Sequence, residues 1–494
     1  MPALFDSLLV IRGYRPTSIR PHLWIAFFLS CVCGLGGCAF NSTPTLSRQE
    51  NTLRLPWYGS PTHLDPGIFD PARASSATPL LLTSLTSAGL VKFSPDLHVI
   101  PELAVSIPTI STDGRKYTFT IRQDARYADG TPCTAADVAY SLERALSPAE
   151  HAPLAAQYLG DIQGASQVET GGAQTLSGVR ILHRLTVQIR LTSPDATFLE
   201  KLAFPVAAIV SRHGAGGLGP FVRASSDTPS TVVLVPRRNY FGDPIQMDSV
   251  KLVAVKNAAT GLEMFKKGLL DAAWVPPARM SAFEGHTEFS QSSGLDGYYA
   301  VAPAAEGVRL ASTLDRSRLL QHIGPALTPL ESIVPDTVPD YVSSPPALTG
   351  STGPPTSEIP VRLRVAQPED ELSQALRATL EQQWATDQRS SRTVWIVHAT
   401  FLLPDPGRWL AIIANVSPNW YPSDLAQANA LTNDPVTRMT AYSNVENWAL
   451  SKGVIIPLAT GTLGYLTRST VQGLNVTATG LMPANNNWSM VGIT

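Results

Sequence analysis

Residues 117–146, YTFTIRQDARYADGTPCTAADVAYSLERAL, prescribe a strand, a reversal and a helix in that order. Tyr117, Phe119 and Ile121 alternate with Thr118, Thr120 and Arg122, so an extended segment here has one apolar face and one polar face. Asp129-Gly130 supplies a residue that tolerates positive φ, and Thr131-Pro132 delays re-entry into helix until the chain has turned. Thr134 then has the chemistry of a helix N-cap. Asp137, three residues on, approximates a capping box and sets a carboxylate at the positive end of the helix dipole. Val138, Leu142 and Ala145 share one helical face, and Ser147-Pro148 ends the helix.

The rest of the chain continues this mixture. Strand-like runs at 185–191, 231–235 and 250–255 accompany a second helical segment at 258–267. Further on, helical segments at 372–384 and 436–452 flank a strand at 393–399. The order lacks strict βαβ repetition, so the expected class is α/β of the mixed α+β kind. With 44% apolar residues in 494, the chain can bury sizeable cores and suggests two large lobes or three smaller units. Its 41 prolines imply many loops and few long helices. Residues 343–360, SSPPALTGSTGPPTSEIP, read as a solvated loop.

The spelling F-x-D-G-x-P-x-T-A-x-D-V-x-x-S-L-E-R, met here with Tyr127 at the aromatic position, resembles the family 5 extracellular solute-binding proteins. These are the oligopeptide, dipeptide and nickel receptors of ABC importers. Other landmarks follow in the family's order: Leu64-Asp65-Pro66, Gly89-Leu90-Val91, Gly219-Pro220-Phe221, Asn239-Tyr240-Phe241 and Lys267-Gly268-Leu269-Leu270-Asp271. The tail adds Pro457-Leu458, Tyr465-Leu466 and Val471-Gln472-Gly473-Leu474. The resemblance implies a two-lobed, periplasmic-binding-protein-like fold of type II with a ligand cleft between the lobes. It places the first part of lobe I at 51–299, a reduced lobe II at 300–455 and a return to lobe I at 456–494. The segment 294–303, GLDGYYAVAP, suits the extended crossover between them. The loop at 343–360 stands where larger members carry a helical segment.

The N-terminus indicates where such a receptor works. Arg12, Arg15 and Arg20 precede an apolar run at 23–32, too short to span a bilayer but suited to a signal-peptide core. Leu35-Gly36-Gly37-Cys38 resembles the bacterial lipobox, so residues 1–37 are expected to be removed and Cys38 to carry the lipid, with 38–50 as a polar tether. An ordinary secretory signal with incidental cysteines is the alternative. Cys31 and Cys33 leave with the signal, and Cys133 remains as a lone, packed thiol with no disulfide partner. A net charge of −2, from 37 basic and 39 acidic residues, argues against a nucleic-acid partner.

Apparent catalytic motifs do not hold together. Gly214-Ala215-Gly216-Gly217-Leu218-Gly219 has the G-x-G-x-x-G spacing, but Pro220 and a strand-like run follow where a dinucleotide fold needs a helix. A turn within the first lobe is the better reading. The nine histidines are scattered, with no H-E-x-x-H pattern and no G-x-S-x-G elbow. No enzyme, cofactor or metal site is therefore expected.

In dipeptide and oligopeptide receptors a second-lobe strand leads to an aspartate that pairs with the ligand's ammonium. The matching position here, in WIVHATFLLPDP, is Leu402, and Asp405 falls at the later D-P step, where it suits a turn or helix cap. The stretch 367–373 also lacks the arginine that dipeptide receptors use for the ligand carboxylate. Burying an unpaired ammonium costs several kcal/mol or shifts its proton equilibrium, so the expected ligand is a neutral, capped or longer peptide. Candidate wall residues are Tyr58 and Ser60 from the first lobe and His398, Thr400, Phe401 and Trp420 from the second, with core packing the alternative for each aromatic. For His398, a hydrogen-bonded core residue is preferred to a metal ligand. The expectation is a monomeric, lipid-anchored receptor on the outer face of the cytoplasmic membrane, closing on peptides and delivering them to an ABC permease. A second expectation is an envelope lipoprotein of the same fold that regulates cell-wall glycolipid synthesis.

Overall fold

The structure is a computed structural model that describes residues 51–58, 66–75, 77–214, 216–224, 230–303, 307–324, 327–343, 360–366, 371–400, 404–413, 423–474 and 488–493. The expectations for residues 1–50, Ser60, Phe401, Leu402 and Trp420, and most of the loop at 343–360, lie outside the described residues. Glu50–Thr494 forms a compact unit of its own.

In chain order the first half runs β1 (Thr52–Tyr58), α1 (Ala77–Thr86), β2 (Val91–Phe93), β3 (Val99–Pro101), β4 (Thr109–Ile110), β5 (Lys116–Thr120), α2 (Ala135–Leu146), α3 (Ala155–Leu159), α4 (Ala165–Glu169), β6 (Val179–His183) and β7 (Thr186–Arg190). It continues through α5 (Phe198–Leu202), β8 (Phe221–Arg223), β9 (Thr231–Pro236), β10 (Ser249–Val255), α6 (Ala258–Lys266) and β11 (Ala272–Val275). Then come β12 (Phe289–Pro303), α7 (Gly307–Thr313), α8 (Arg316–Ile323), β13 (Leu327–Pro329), β14 (Arg362–Val365), α9 (Glu371–Gln383), β15 (Thr393–Thr400) and α10 (Pro406–Leu410). The chain finishes with α11 (Ser423–Ala430), α12 (Pro435–Ser451), β16 (Ile456–Thr467), β17 (Val471–Gln472) and β18 (Gly492–Ile493).

Three larger sheets organise these elements. In the first, ordered β1-β10-β9-β8, the β1/β10 pair is parallel and the others are antiparallel. Leu53, Leu55, Val232, Leu234, Val250 and Leu252 form its core, and Trp488 and Val491 from the tail complete it. The second sheet, β4-β5-β7-β6, is antiparallel throughout. Its Tyr117, Phe119, Val187 and Ile189 meet Val138, Leu142 and Ala145 of α2 in one cluster, so the expected strand alternation and helix stripe face each other. Full burial of such side chains is worth about 1.5–3 kcal/mol each, which explains why the pattern is decisive.

Local chemistry fixes the turn between them. The Thr134 backbone N–H and hydroxyl both donate to Asp137 Oδ2, at 2.9 and 2.8 Å, while Arg212 Nε holds Oδ1 at 3.1 Å. Cys133 is buried beneath this cap, and burial pushes its thiol up to about 12, so it stays protonated at neutral pH. The glycines at 214–219 lead into β8, not into a helix. Gly219 donates its N–H to the Thr86 carbonyl at 3.0 Å, and a Cβ there would fall 2.5 Å from the Ser87 nitrogen. Close packing on the end of α1 is what this glycine serves.

The third sheet is the largest of the three. Its order is β11-β16-β12-β15-β14, with β13 also on β16. The start of β12 pairs with the end of β16 beside β11, whereas Tyr298 to Val301 pair with Thr460 to Ile456 and with β15. Successive residues of β12 serve opposite faces: Tyr298 and Ala300 enter a core with Trp409 and Tyr442, and Tyr299 and Val301 enter one with Leu363, Leu376 and Leu380. The second lobe thus has a packed layer on each side of the sheet.

Candidate ligand cleft between the lobes

Two long strands, β12 and β16, pair along most of their length. Their register is interrupted between Ser293 and Tyr298, where Gly297 adopts φ +91°. That conformation favours glycine, and the unpaired stretch is where the ladder is weakest.

Tyr58 ends β1 on the first-lobe side. Its ring meets Trp274 of β11 edge-on, with centroids 6.3 Å apart, and its hydroxyl oxygen accepts the Trp274 N–H at 3.2 Å. Gly261 of α6 allows this approach, since a Cβ there would sit 2.9 Å from the hydroxyl. Burial raises the Tyr58 phenol above its usual value, so it remains a neutral donor.

On the second-lobe side, His398 and Thr400 end β15. Thr400 is opposite Asp296, at the register break, and His398 is opposite Tyr299. The half-buried His398 ring stacks on Tyr299 at 4.8 Å with the planes 6° apart. Tyr58 thus packs at the β11 edge of the third sheet, while His398 and Thr400 lie together at the end of β15. Among the described residues, no group of three or more His, Cys, Asp or Glu side chains is placed to hold a metal.

Asp405 proves to be a cap. It is the N-cap of α10, accepting the Arg408 N–H at 3.1 Å, and lies buried beside Trp409, which meets Tyr298 edge-on at 5.4 Å. Sequence reasoning missed its other environment. The segment after β7 meets α11 and α12 here: Ala196 donates to the Asn429 carbonyl at 2.9 Å, and the Asn429 side chain accepts from the Tyr442 hydroxyl at 2.7 Å. Lys201 reaches Asp195 at 2.5 Å and also Asp161. Glu200 Oε2 is buried without a hydrogen-bond partner, and burial, reinforced by Asp405, raises its pKa. Burial raises Asp405 as well, with Arg438 opposing. These two acids are some two hundred positions apart, so no local pattern could have paired them.

A further buried acid was equally invisible. Glu446 of α12 accepts the Ile333 and Val334 N–H groups at 2.7 and 3.0 Å, and the Tyr341 and Ser343 hydroxyls at 2.5 and 2.7 Å. It ties the loop after β13 to the helix.

The profile of a family described as Bacterial extracellular solute-binding proteins, family 5 Middle, matches residues 98–356, more than half of the chain. The chain belongs to this family. Among curated relatives, the oligopeptide-binding protein OppA of Bacillus subtilis (strain 168) is 28% identical over 305 residues, which is 58% of this chain and 54% of that protein. The periplasmic murein peptide-binding protein MppA of Escherichia coli (strain K12) is 26% identical over 309 residues, 57% of each chain. The chain thus spans about half the length of the curated relatives it matches. Among solved structures, the unliganded open form of the murein tripeptide-binding protein MppA superposes with a TM-score of 0.76 at 19% identity, covering 90% of this chain and 98% of that one. The mixed α/β fold of this family 5 chain is thus the two-lobed binding-protein fold. Family 5 and these relatives are described as binding proteins, in keeping with the absence of a catalytic constellation in the sequence.

Proposed function

We propose that this protein is the substrate-binding component of an ABC importer and takes up peptides or peptide-like solutes by closure of its lobes. The observation that carries the reading is the family match together with relatives named for oligopeptide and murein peptide binding. The crossover geometry supports closure, because two strands meeting at a register break around Gly297 can change φ and ψ without dismantling either lobe's core. Lobe I takes residues 51–299 and 456–494, and lobe II takes 300–455. Tyr58, Ser60, His398, Thr400, Phe401 and Trp420 form the wall, with aromatic faces stacking the ligand and hydroxyls meeting its amides. With Leu402 in place of an acid, the pocket favours peptides whose N-terminus is capped or lies outside the wall.

Calorimetry with paired free and N-acetylated peptides of two to five residues tests this. Acetylated or longer peptides should bind at least about tenfold more tightly than free dipeptides. Tighter binding of free dipeptides would refute the missing-acid argument. Binding of no peptide at all would refute the receptor reading.

Cys38 carries the lipid, Met1 to Gly37 form the signal, residues 38–50 tether the receptor, and the monomer meets its permease at the membrane surface. A diacylated cysteine gives a stable hold where one chain would not. Cys38→Ala should release the protein or leave its signal uncleaved. Mature, membrane-bound protein in that variant would contradict lipidation at this residue.

A further inference from the structure

The outward face of the second sheet carries charge of one sign. Along β5, β7 and β6 the outward residues alternate with those packed toward α2, and Lys116, Arg190 and Arg180 point away from that helix. Lys116 stands directly opposite Arg190, and Arg180 opposite Gln188, the next outward residue of the strand that carries Arg190. Like charges in such cross-strand positions repel. Arg115, immediately before β5, and Arg184, in the β6–β7 turn, extend the row. Among the described residues, none of these five cations forms an ion pair with an acid. The acids around the sheet are engaged elsewhere. Asp124 is held by Arg122 at 3.0 Å, Asp161 and Asp195 share Lys201, and Asp434 caps α12. Glu143 and Glu169 belong to α2 and α4 on the inner face, where Glu143 accepts the Leu176 N–H at 3.0 Å. Asp113, in the β4–β5 turn, sets one negative charge against the five, in a chain whose net charge is −2.

The edge strand adds an apolar element. The register of β6 on β7 slips between Ile181 and His183, so Leu182 is bulged out of the ladder. Ile181 and Leu182 are 52% and 43% exposed, and they sit between the exposed Arg180 and Arg184. At the opposite edge, Val105, whose N–H donates to the Thr120 carbonyl at 2.8 Å, and Ile107 are exposed as well. Four of the eleven large apolar side chains that stand exposed among the described residues therefore border this one sheet. Single apolar residues on a surface need no explanation, but a concentration of them beside unpaired cations marks a surface that meets something.

We propose that this face docks on an anionic phospholipid bilayer, with Arg180, Arg184, Arg190 and Lys116 at the headgroup phosphates and Ile181 and Leu182 in the boundary layer beneath them. Peripheral binding of this kind draws on apolar area removed from water and on the attraction of cations to the surface charge. The bulged strand supplies the first and the row of cations the second. Their combination selects the bilayer: an acidic protein surface would answer the cations alone, whereas adjacent isoleucine and leucine between two arginines match a partner that is charged outside and apolar just below. The face shares no residue with the proposed peptide wall and needs no lipid at Cys38, so each reading can fail without the others.

The test is flotation of the compact Glu50–Thr494 unit, which leaves out the apolar run at 23–32, with vesicles of phosphatidylcholine alone or mixed with phosphatidylglycerol. Partitioning to the mixed vesicles should be at least about tenfold stronger at low salt and should fall toward the phosphatidylcholine level as salt is raised. Arg180→Glu combined with Arg184→Glu should weaken it at least about tenfold, and Ile181→Ser combined with Leu182→Ser at least about threefold. Both pairs should keep the parent Tm, because all four side chains are exposed. Equal partitioning to the two kinds of vesicle, binding to neither, or no effect of the charge reversals would overturn the proposal. A serine pair that binds the mixed vesicles as tightly as the parent would overturn the bilayer as the partner and leave the cations to an acidic protein surface.

Discussion

At the scale of single residues, buried acids distinguish this chain. Glu446 is completely enclosed and accepts four hydrogen bonds. Replacing it with alanine strands two backbone donors and two hydroxyls, so Glu446→Ala should cost about 3–5 kcal/mol in urea unfolding. A loss below about 1 kcal/mol would show that the network is not holding the second lobe together. Glu200 behaves in the opposite sense. Burial, then Asp405, lifts it from 4.5 to about 8, so the folded state keeps a proton that the unfolded chain releases. Its contribution is therefore fully present below about pH 4.5 and is lost as pH rises to about 8. Asp405, lifted from 3.8 to about 6, adds loss over the lower part of that window. Glu200→Gln should flatten the pH dependence and raise Tm by about 2–4 °C at pH 8 while changing it little at pH 5. An equal shift at both values would place the effect in packing, not in ionisation.

At the scale of elements, the crossover strands matter most. Gly297 at φ +91° is a position where a side chain is strained, and a Cβ would also stand 3.4 Å from the Tyr299 ring. Gly297→Val should cost about 1–3 kcal/mol in stability and weaken peptide binding beyond that seen for surface substitutions of equal cost. Unchanged affinity in a destabilised variant would separate this glycine from closure. Elements with strong local signals were legible in the sequence. The 117–121 alternation became β5, Thr134 and Asp137 capped α2, and the segments at 372–384 and 436–452 became α9 and α12. Asp405 was readable as a cap because a D-P step precedes apolar residues. Contacts set by tertiary approach were not readable. Nothing near Glu446 announces Tyr341, and nothing near Arg237 announces that Gly217 will be its acceptor. Of the proposed wall, Tyr58 and His398 are chosen by type and order, and their packing on Trp274 and Tyr299 depends on strand pairings between distant segments.

At the scale of the whole molecule, the third sheet brings β11 and β16 together with β12, β15 and β14, and the Ala196–Asn429 contact with the buried acids around it ties the region after β7 to the segment before α12. The closure proposed above would pivot on β12 and β16 while keeping the Ala196–Asn429 contact. The family membership and the fold leave the ligand's identity to the wall residues. The most direct test of peptide capture is native mass spectrometry of the unlipidated Glu50–Thr494 unit purified without denaturation. The account predicts a series of masses above the bare protein, released as peptides on unfolding. A single bare mass that also shows no thermal shift with a peptide panel would contradict it.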